Sequence, residues 1–359
     1  MYHGAVSLTR RAVGIAAGLG ALLTTAVAAQ QRYEIAGSDV AIYNIAGLAV
    51  IQGGSGSAVT VEVTTMGRDA GRLQIETGAI GGRETLRVIY PDRDIVYTRW
   101  HRGSETQMRV REDGTFNDRH DGRRGDDGRR VSISGGGSGL EAHADLRITV
   151  PRGQRLSVYL GVGEAEVSNV DGDLRVDVSS AAIKSTNTRG KLVLDTGSGS
   201  IDARNHEGDA VLDTGSGSVT VVGVRGDALV VDTGSGGVDA ADVTVRALMI
   251  DTGSGGIDLV RAGADEIVLD TGSGSVTAEL LRSPSALEID TGSGGVTLTV
   301  PPDFGARVEI DTGSGGIDID FPLQVRRWER TYISGTIGDG SGRLHIDTGS
   351  GSVRVRKSG

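Results

Sequence analysis

The chain has 359 residues, of which 58 are glycine, and aromatic residues make up only 3% of it. It contains no cysteine, which excludes disulfides, thiolate nucleophiles and cysteine-based zinc sites. The formal net charge of −10 at pH 7 disfavours nucleic acid and anionic membrane surfaces as partners.

The first 29 residues are typical of a signal peptide. Arg10 and Arg11 form a basic start, residues 12–28 are small and apolar, and Ala26-Val27-Ala28 offers a cleavage site. The alternative is a retained membrane anchor, for which an apolar run of about seventeen residues is marginal. We therefore expect an exported protein, in the periplasm, at the cell surface or outside the cell, whose mature form has no transmembrane span.

Residues 30–150 predict an N-terminal β domain that caps the rest of the molecule. Alternating apolar residues, the pattern of strands, recur at 40–44, 58–63, 84–91 and 146–151. Residues 113–139 are rich in arginine, aspartate and glycine, and we expect this segment to be a flexible charged loop.

The rest of the chain, residues 151–359, is a repeat array. The motif Asp-Thr-Gly-Ser-Gly begins at Asp195, Asp213, Asp232, Asp251, Asp270, Asp290, Asp311 and Asp347. Successive motifs lie 18 to 21 residues apart, except for a last interval of 36, which indicates a decayed coil or an intervening loop. Apolar residues alternate on both sides of each motif, so each repeat reads as strand, turn and strand. Such a short unit must stack on its copies, which predicts an all-β parallel β-helix, or β-solenoid, of about 18–20 residues per coil.

The motif resembles the active-site loop of pepsin-like aspartic proteases. Those enzymes need two such loops facing each other across a cleft, whereas eight regularly spaced copies form a row. We therefore assign no catalytic residues and predict a structural turn. In that turn the aspartate accepts a hydrogen bond from the N–H two residues on, the threonine hydroxyls stack inside, and the glycines adopt positive φ.

The motif aspartates are also candidate cation ligands. Stacking would place carboxylates about 4.8 Å apart, where they repel each other, and a bound cation would offset that repulsion. We hypothesise weak calcium binding at Asp195, Asp213, Asp232, Asp251, Asp270, Asp290 and Asp311, and no other cofactor.

A second column, two residues before each motif aspartate, is apolar over five coils. It consists of Val193, Val211, Val230, Met249 and Val268, and we call it the apolar stripe. Three interpretations remain open at this point: cover by the N-terminal domain, a surface for a partner or a second copy, or β propensity alone.

Several segments match a known family in more than the repeat. These are Ile42-Tyr43-Asn44 with Gly47, Gly53-Gly54-Ser55-Gly56, Val150-Pro151, the Thr-Gly-Ser-Gly coils, and the run from Ile337 to Gly342. With these features the chain resembles a bacterial family of exported β-strand-repeat proteins of unknown function, often labelled "putative adhesin". The resemblance implies a parallel β-helix outside the cytoplasm and supplies no catalytic or binding residues.

We therefore predict a non-enzymatic, adhesin-like protein or envelope scaffold whose partner is unknown. One alternative is a carbohydrate-active β-helix enzyme, which is disfavoured because the acids are evenly spread and only two tryptophans are present. The other is a self-assembling filament, and we expect the charged end Arg354–Lys357 to blunt end-on stacking.

Overall fold

The computed structural model describes residues 29–118 and 128–359. Within these residues the chain forms strands and one short 3-10 helix, which confirms the all-β prediction. That helix has three residues and is far too short to span a membrane. The predicted signal peptide lies outside the described residues except for its last position, Ala29.

The N-terminal elements close one end of a long parallel sheet. In chain order they are β1 (Ala29–Ile35), β2 (Asp39–Gly54), β3 (Val59–Met66), η1 (Ala70–Arg72), β4 (Gln74–Ile80), β5 (Arg83–Ile89), β6 (Asp94–Val96), β7 (Glu105–Val110), β8 (Arg129–Ser134) and β9 (His143–Pro151). Strand β2 pairs in parallel with β5 along its first half and with β9 along its second half. Strands β4, β3 and β1 then add antiparallel pairings, so the parallel stack ends in antiparallel strands.

Part of the segment expected to be a flexible loop is ordered. Residues 128–139 include strand β8, which pairs with β6 and β7 in a separate three-stranded sheet. Val131 and Ile133 are fully buried there, so the alternation of apolar residues outweighs the charged composition. Phe116 is also buried, although residues 113–118 form no strand or helix, so the loop prediction is wrong only where β8 forms. Residues 119–127 lie outside the described residues.

The coils of the solenoid come next. They are formed by β10 (Gln154–Ser168), β11 (Gly172–Arg189), β12 (Leu192–Thr196), β13 (Ile201–Glu207), β14 (Ala210–Thr214), β15 (Val219–Arg225), β16 (Ala228–Thr233), β17 (Val238–Ala241), β18 (Ala247–Thr252), β19 (Ile257–Ala262), β20 (Glu266–Thr271), β21 (Val276–Leu280), β22 (Ala286–Thr291) and β23 (Val296–Val300). From β12 onward each coil is a pair of strands separated by the motif turn. The first strands of the pairs stack in one parallel ladder and the second strands in another.

The parallel ladders cross the predicted domain boundary between residues 150 and 151. Strand β2 pairs with β10 from Asp39 to Gln52, in the register that β10 then repeats with β11. One hydrophobic core also runs from Ile35 to Val355. The boundary stays a prediction, but β2 has the stacking geometry of a first coil.

The C-terminal end has an unexpected order of strands. It contains β24 (Ala306–Asp311), β25 (Ile317–Ile319), β26 (Leu323–Trp328), β27 (Tyr332–Ile337), β28 (Gly342–Thr348) and β29 (Val353–Lys357). Strand β28 lies between β22 and β24, and β29 lies between β23 and β25. The last coil in sequence is therefore the penultimate coil in space.

A hairpin explains the 36-residue interval between the last two motifs. Strand β27 pairs antiparallel with β24, and β26 pairs antiparallel with β27. The intervening residues are thus neither a decayed coil nor a plain loop, because they cap the end of the solenoid. Val353 and Val355 are fully buried inside the stack, so the expectation that the charged C-terminus blunts the end is wrong.

Candidate functional site

The motif aspartates form one outward column along the first ladder, as the repeat predicts. Asp195, Asp213 and Asp232 are direct register partners, and the column continues through Asp251, Asp270 and Asp290. Asp347 follows Asp290, and Asp311 comes last. Neighbouring strands are about 4.8 Å apart, so this column places like charges close together.

The electrostatics of the column follow from that spacing. Partial burial raises the pKa of Asp213, and the carboxylates of Asp195 and Asp232 raise it further. Burial and neighbouring aspartates likewise raise the pKa values of Asp251 and Asp270. The column is therefore a strained row of acids, and no two of its carboxylates form the facing pair that a protease needs.

Threonine, not aspartate, fixes most of the motif turns. In a typical coil the Thr233 hydroxyl donates to the Gly217 carbonyl of the preceding coil at 2.9 Å, and it accepts from the Gly236 N–H at 3.1 Å. The motif threonines are almost fully buried, so the predicted threonine ladder is confirmed. An aspartate hydrogen bond to the N–H two residues on occurs in the described motifs only at Asp311, to Gly313. The aspartate-capped turn is therefore wrong for the other motifs, because the N–H two residues after the aspartate donates instead to a backbone carbonyl of the preceding coil, as Gly234 does to Thr214 at 3.1 Å.

The motif glycines are needed for close approach of the backbones. A Cβ atom on Gly217 would lie 1.7 Å from the Gly199 carbonyl oxygen of the coil below. Gly313 is the one motif glycine with a left-handed φ, of 39°. The prediction of positive φ is thus wrong for the regular coils.

The described residues contain no cluster of three or more histidine, aspartate or glutamate side chains arranged to hold a metal ion. Each coil contributes one carboxylate to the column, whereas a calcium ion takes six to eight oxygen ligands. Calcium binding at the aspartate column stays a prediction.

The apolar stripe is a continuous column beside the aspartates. Val193, Val211, Val230, Met249 and Val268 are successive register partners, and Glu288 follows them. Met249 is 46% exposed and Val211 is 36% exposed. Among the described residues, the N-terminal domain stacks on the end of the coils and does not cover these two side chains, so cover by that domain is wrong for the part of the chain that the structure describes.

In the part of the chain that the structure describes, this face is covered near the N-terminal end. Tyr43 and Tyr159 stack there with ring centroids 4.7 Å apart, and Phe116 packs against Tyr43 edge-on. Asn117 donates to Asp177 at 3.0 Å, which anchors this segment over the third coil. Burial and the hydrogen bond to Asp118 raise the pKa of Tyr43. Sequence reasoning missed this polar cluster because its members come from distant segments.

An ion-pair network, buried at Arg83 and partly exposed at Arg175, lies beside the tyrosines. The Arg83 side chain is 7% exposed and contacts Asp39 at 3.0 Å and Asp118 at 3.3 Å. Arg175 likewise bridges Asp177 and Asp195, each at 3.2 Å. The arginines of this network are paired with aspartates, so the network is better suited to hold the N-terminal segment against the coils than to carry out a reaction.

At the C-terminal end the outer face of the first ladder becomes concave. Strands β22, β28 and β24 and the β26–β27 hairpin enclose a groove of about 1050 Å³, which we call the C-terminal groove. Its charged side chains are Glu288, Glu309, Arg307, Arg326, Arg327 and Arg343, together with His345. No sequence pattern marked this groove, because the swapped order of β24 and β28 creates it.

The chain is similar to one protein family and to several solved structures. The family described as Toastrack DUF4097 matches residues 96–356. A search of curated proteins finds no match. A solved structure described as a "putative cell adhesion protein" from Clostridium sporogenes is 8% identical and covers 92% of this chain and 100% of its own, with a TM-score of 0.20. A "putative adhesin" from Bacteroides fragilis is 9% identical and covers 91% of this chain and 96% of its own, with a TM-score of 0.35.

Proposed function

Since the chain belongs to the Toastrack DUF4097 family, we propose that it is a non-enzymatic β-solenoid that binds a partner outside the cytoplasm, as an adhesin-like protein or an envelope scaffold. The sequence resemblance and the signal-peptide pattern of residues 1–29 support an exported location. The binding surface in this proposal is the apolar stripe.

The exposure of the stripe carries the proposal. A row of aliphatic side chains over five stacked coils is more contiguous than scattered surface residues, and Val211 and Met249 are well exposed. The aspartate column runs parallel to it, two residues further along each strand. A fitting partner therefore presents an apolar strip flanked by basic side chains, so that the charges pair as the apolar surfaces meet.

The arrangement of the acids favours binding over catalysis. A glycoside hydrolase places two carboxyl groups across a scissile bond, with a distinct environment for each. Here the motif carboxylates repeat one environment along a single outward column. The proposal accordingly assigns them no catalytic role.

The proposal is tested with the variant Val211→Lys/Met249→Lys. The labelled mature protein is titrated against intact envelopes of the bacterium that encodes it. We expect saturable binding that the two lysines weaken at least tenfold, because they place charge in the apolar strip. The matched control is Val260→Lys/Leu281→Lys, which changes two exposed apolar residues away from the stripe and leaves binding unchanged.

Three outcomes would contradict the proposal. The first is no saturable binding, and the second is equal loss in both variants. The third is the release of new reducing ends or unsaturated products from polysaccharides, which identifies an enzyme. Light scattering of the purified protein separates a self-association surface from one that binds a different partner.

A further inference from the structure

We propose that the C-terminal groove binds an acidic oligosaccharide, a glycan that carries carboxylate groups among its hydroxyls. The inference concerns a surface other than the apolar stripe, so neither proposal depends on the other. It begins with two arginines in the floor of the groove.

Arg307 and Arg343 are direct register partners on adjacent parallel strands. Their side chains therefore start about one strand spacing, or 4.8 Å, apart on the same exposed face of the sheet. Like charges placed opposite each other destabilise a sheet. Among the described residues, neither side chain forms an ion pair, in contrast to Arg246, which contacts Asp227, and Arg356, which contacts Asp318.

Two adjacent guanidinium groups without a protein carboxylate are suited to an external one. Arginine donors form a planar fork that matches carboxylate oxygens in bidentate geometry, and such charge-assisted hydrogen bonds are stronger than neutral ones. The side of the groove formed by β26 adds Arg326, which also has no ion pair among the described residues, and Arg327, whose charge is paired with Glu329 at 2.6 Å. The groove is therefore basic within an acidic protein.

The remaining lining provides partners for hydroxyl groups. Thr336 continues the row of Arg343 and Arg307, and Ser334 continues the row of His345 and Glu309. Hydroxyls and carboxylates of this kind exchange hydrogen bonds with sugar hydroxyls. Tyr332 donates to Glu309 at 3.1 Å and lies under the Arg327 guanidinium at 5.0 Å, which holds one wall in place.

The acids around the groove select against densely charged polymers. Glu288 and Glu309 line it, and the column of Asp290, Asp347 and Asp311 follows two residues further along the same strands. A nucleic acid carries a charge on every residue and would meet these carboxylates. A uronate-containing glycan presents isolated carboxylates between neutral hydroxyls, which matches the mixed lining. The volume of about 1050 Å³ corresponds to the upper end of typical ligand sites, roughly 300–1,000 Å³.

The test uses the full mature chain with a hyaluronan hexasaccharide, in which glucuronate alternates with a neutral sugar, and with its fully methyl-esterified counterpart, which has the same backbone without charge. Binding is followed by calorimetry and by the fluorescence of Trp328, which lies on β26 beside the groove. We expect the free acid to bind at least tenfold more tightly than the ester, with an affinity that falls as salt is added. Arg307→Gln/Arg343→Gln should weaken binding of the acid at least tenfold while the melting temperature stays unchanged.

The matched control is Arg225→Gln/Arg354→Gln, which removes two exposed charges on other faces and should bind like the parent. Equal binding of acid and ester overturns the proposal, as does unchanged binding by the groove variant or no binding of the acid. Arginine-dependent binding of single-stranded DNA at equal or higher affinity would assign the groove to nucleic acid instead. Loss in the groove variant with normal envelope binding, or the converse, tells the two proposals apart.

Discussion

The first coils and the motif coils turn the same corner of the solenoid with two different backbone structures. In β2 and β10 the strand continues through the corner, and Gly47 and Gly163 stack there with φ near 140°. In the motif coils the strand breaks, and a buried threonine hydroxyl links the turn backbone of its own coil to that of the preceding coil. In the first coils the register position of these threonines is occupied by Asn44, Leu160 and Val178. Threonine therefore takes this position only in the coils whose strand is interrupted, where the turn backbone needs a side-chain hydrogen-bond partner.

The outward column differs between the two regions as well. At the register position of the motif aspartates the first coils have Tyr43 and Tyr159, which the segment around Phe116 covers. From Asp195 onward the position is acidic and open to solvent. The same position of the parallel ladder can therefore hold a covered tyrosine or an open aspartate.

The largest expected effect comes from breaking the close approach in the motif coils. Gly217→Ala places a methyl group against the Gly199 carbonyl, and we expect a loss of about 3 kcal/mol or more in unfolding free energy. Thermal unfolding followed by circular dichroism measures it. Gly71→Ala is the N-terminal control, because nothing lies within 4 Å of its added Cβ and its φ is not left-handed. Equal effects at the two sites would refute the close-approach argument.

An intermediate effect is expected from the threonine corner. Thr233→Val keeps the shape but leaves the Gly217 carbonyl and the Gly236 N–H without their side-chain partner, at a cost of about 2 kcal/mol. Thr85→Val in the N-terminal region removes one bond, to Gly78, and should cost about half as much. Hydrogen exchange should show the loss of protection confined to the coils around each site. Protection lost evenly along the chain would contradict a local corner role.

The smallest effect tests the aspartate column. Burial and its neighbours raise the pKa of Asp251, so its carboxyl contributes stability below its unfolded pKa of about 3.9 and loses it as pH rises through the folded pKa. Asp251→Asn should therefore raise the melting temperature by about 1–2 °C near pH 7 and leave it unchanged near pH 3.

The comparison residue for that test is Asp177, the first acid of the column. It lies between Arg175 and Asn117, so Asp177→Asn should lower the melting temperature near neutral pH. A fall for both variants would show that the column is not under repulsive strain.

The sequence alone is sufficient for the stacking, since Leu194, Leu212 and Val231 recur at one distance from each motif and become one buried column. For residues 128–139 the charged composition led to a wrong prediction. Val131 and Ile133 are surrounded by charged and glycine residues in the sequence, yet their strand pairs with two distant strands. The C-terminal groove was not predictable, because Arg307 and Arg343 become neighbours only through a strand order that repeat spacing does not encode. A short repeat pattern specifies which positions of neighbouring coils are in contact, but it does not specify the order in which the coils stack.

The position of the last coil has a consequence for how the protein is made and how it can grow. Strands β24 and β25 find their parallel neighbours only after the final residues of the chain arrive between them and β22 and β23. The coil of β24 and β25 therefore completes its parallel pairing only after β28 and β29 have taken their places. Duplicated repeats appended after Lys357 would have no free ladder to extend, so the array lengthens only by duplications upstream of β28.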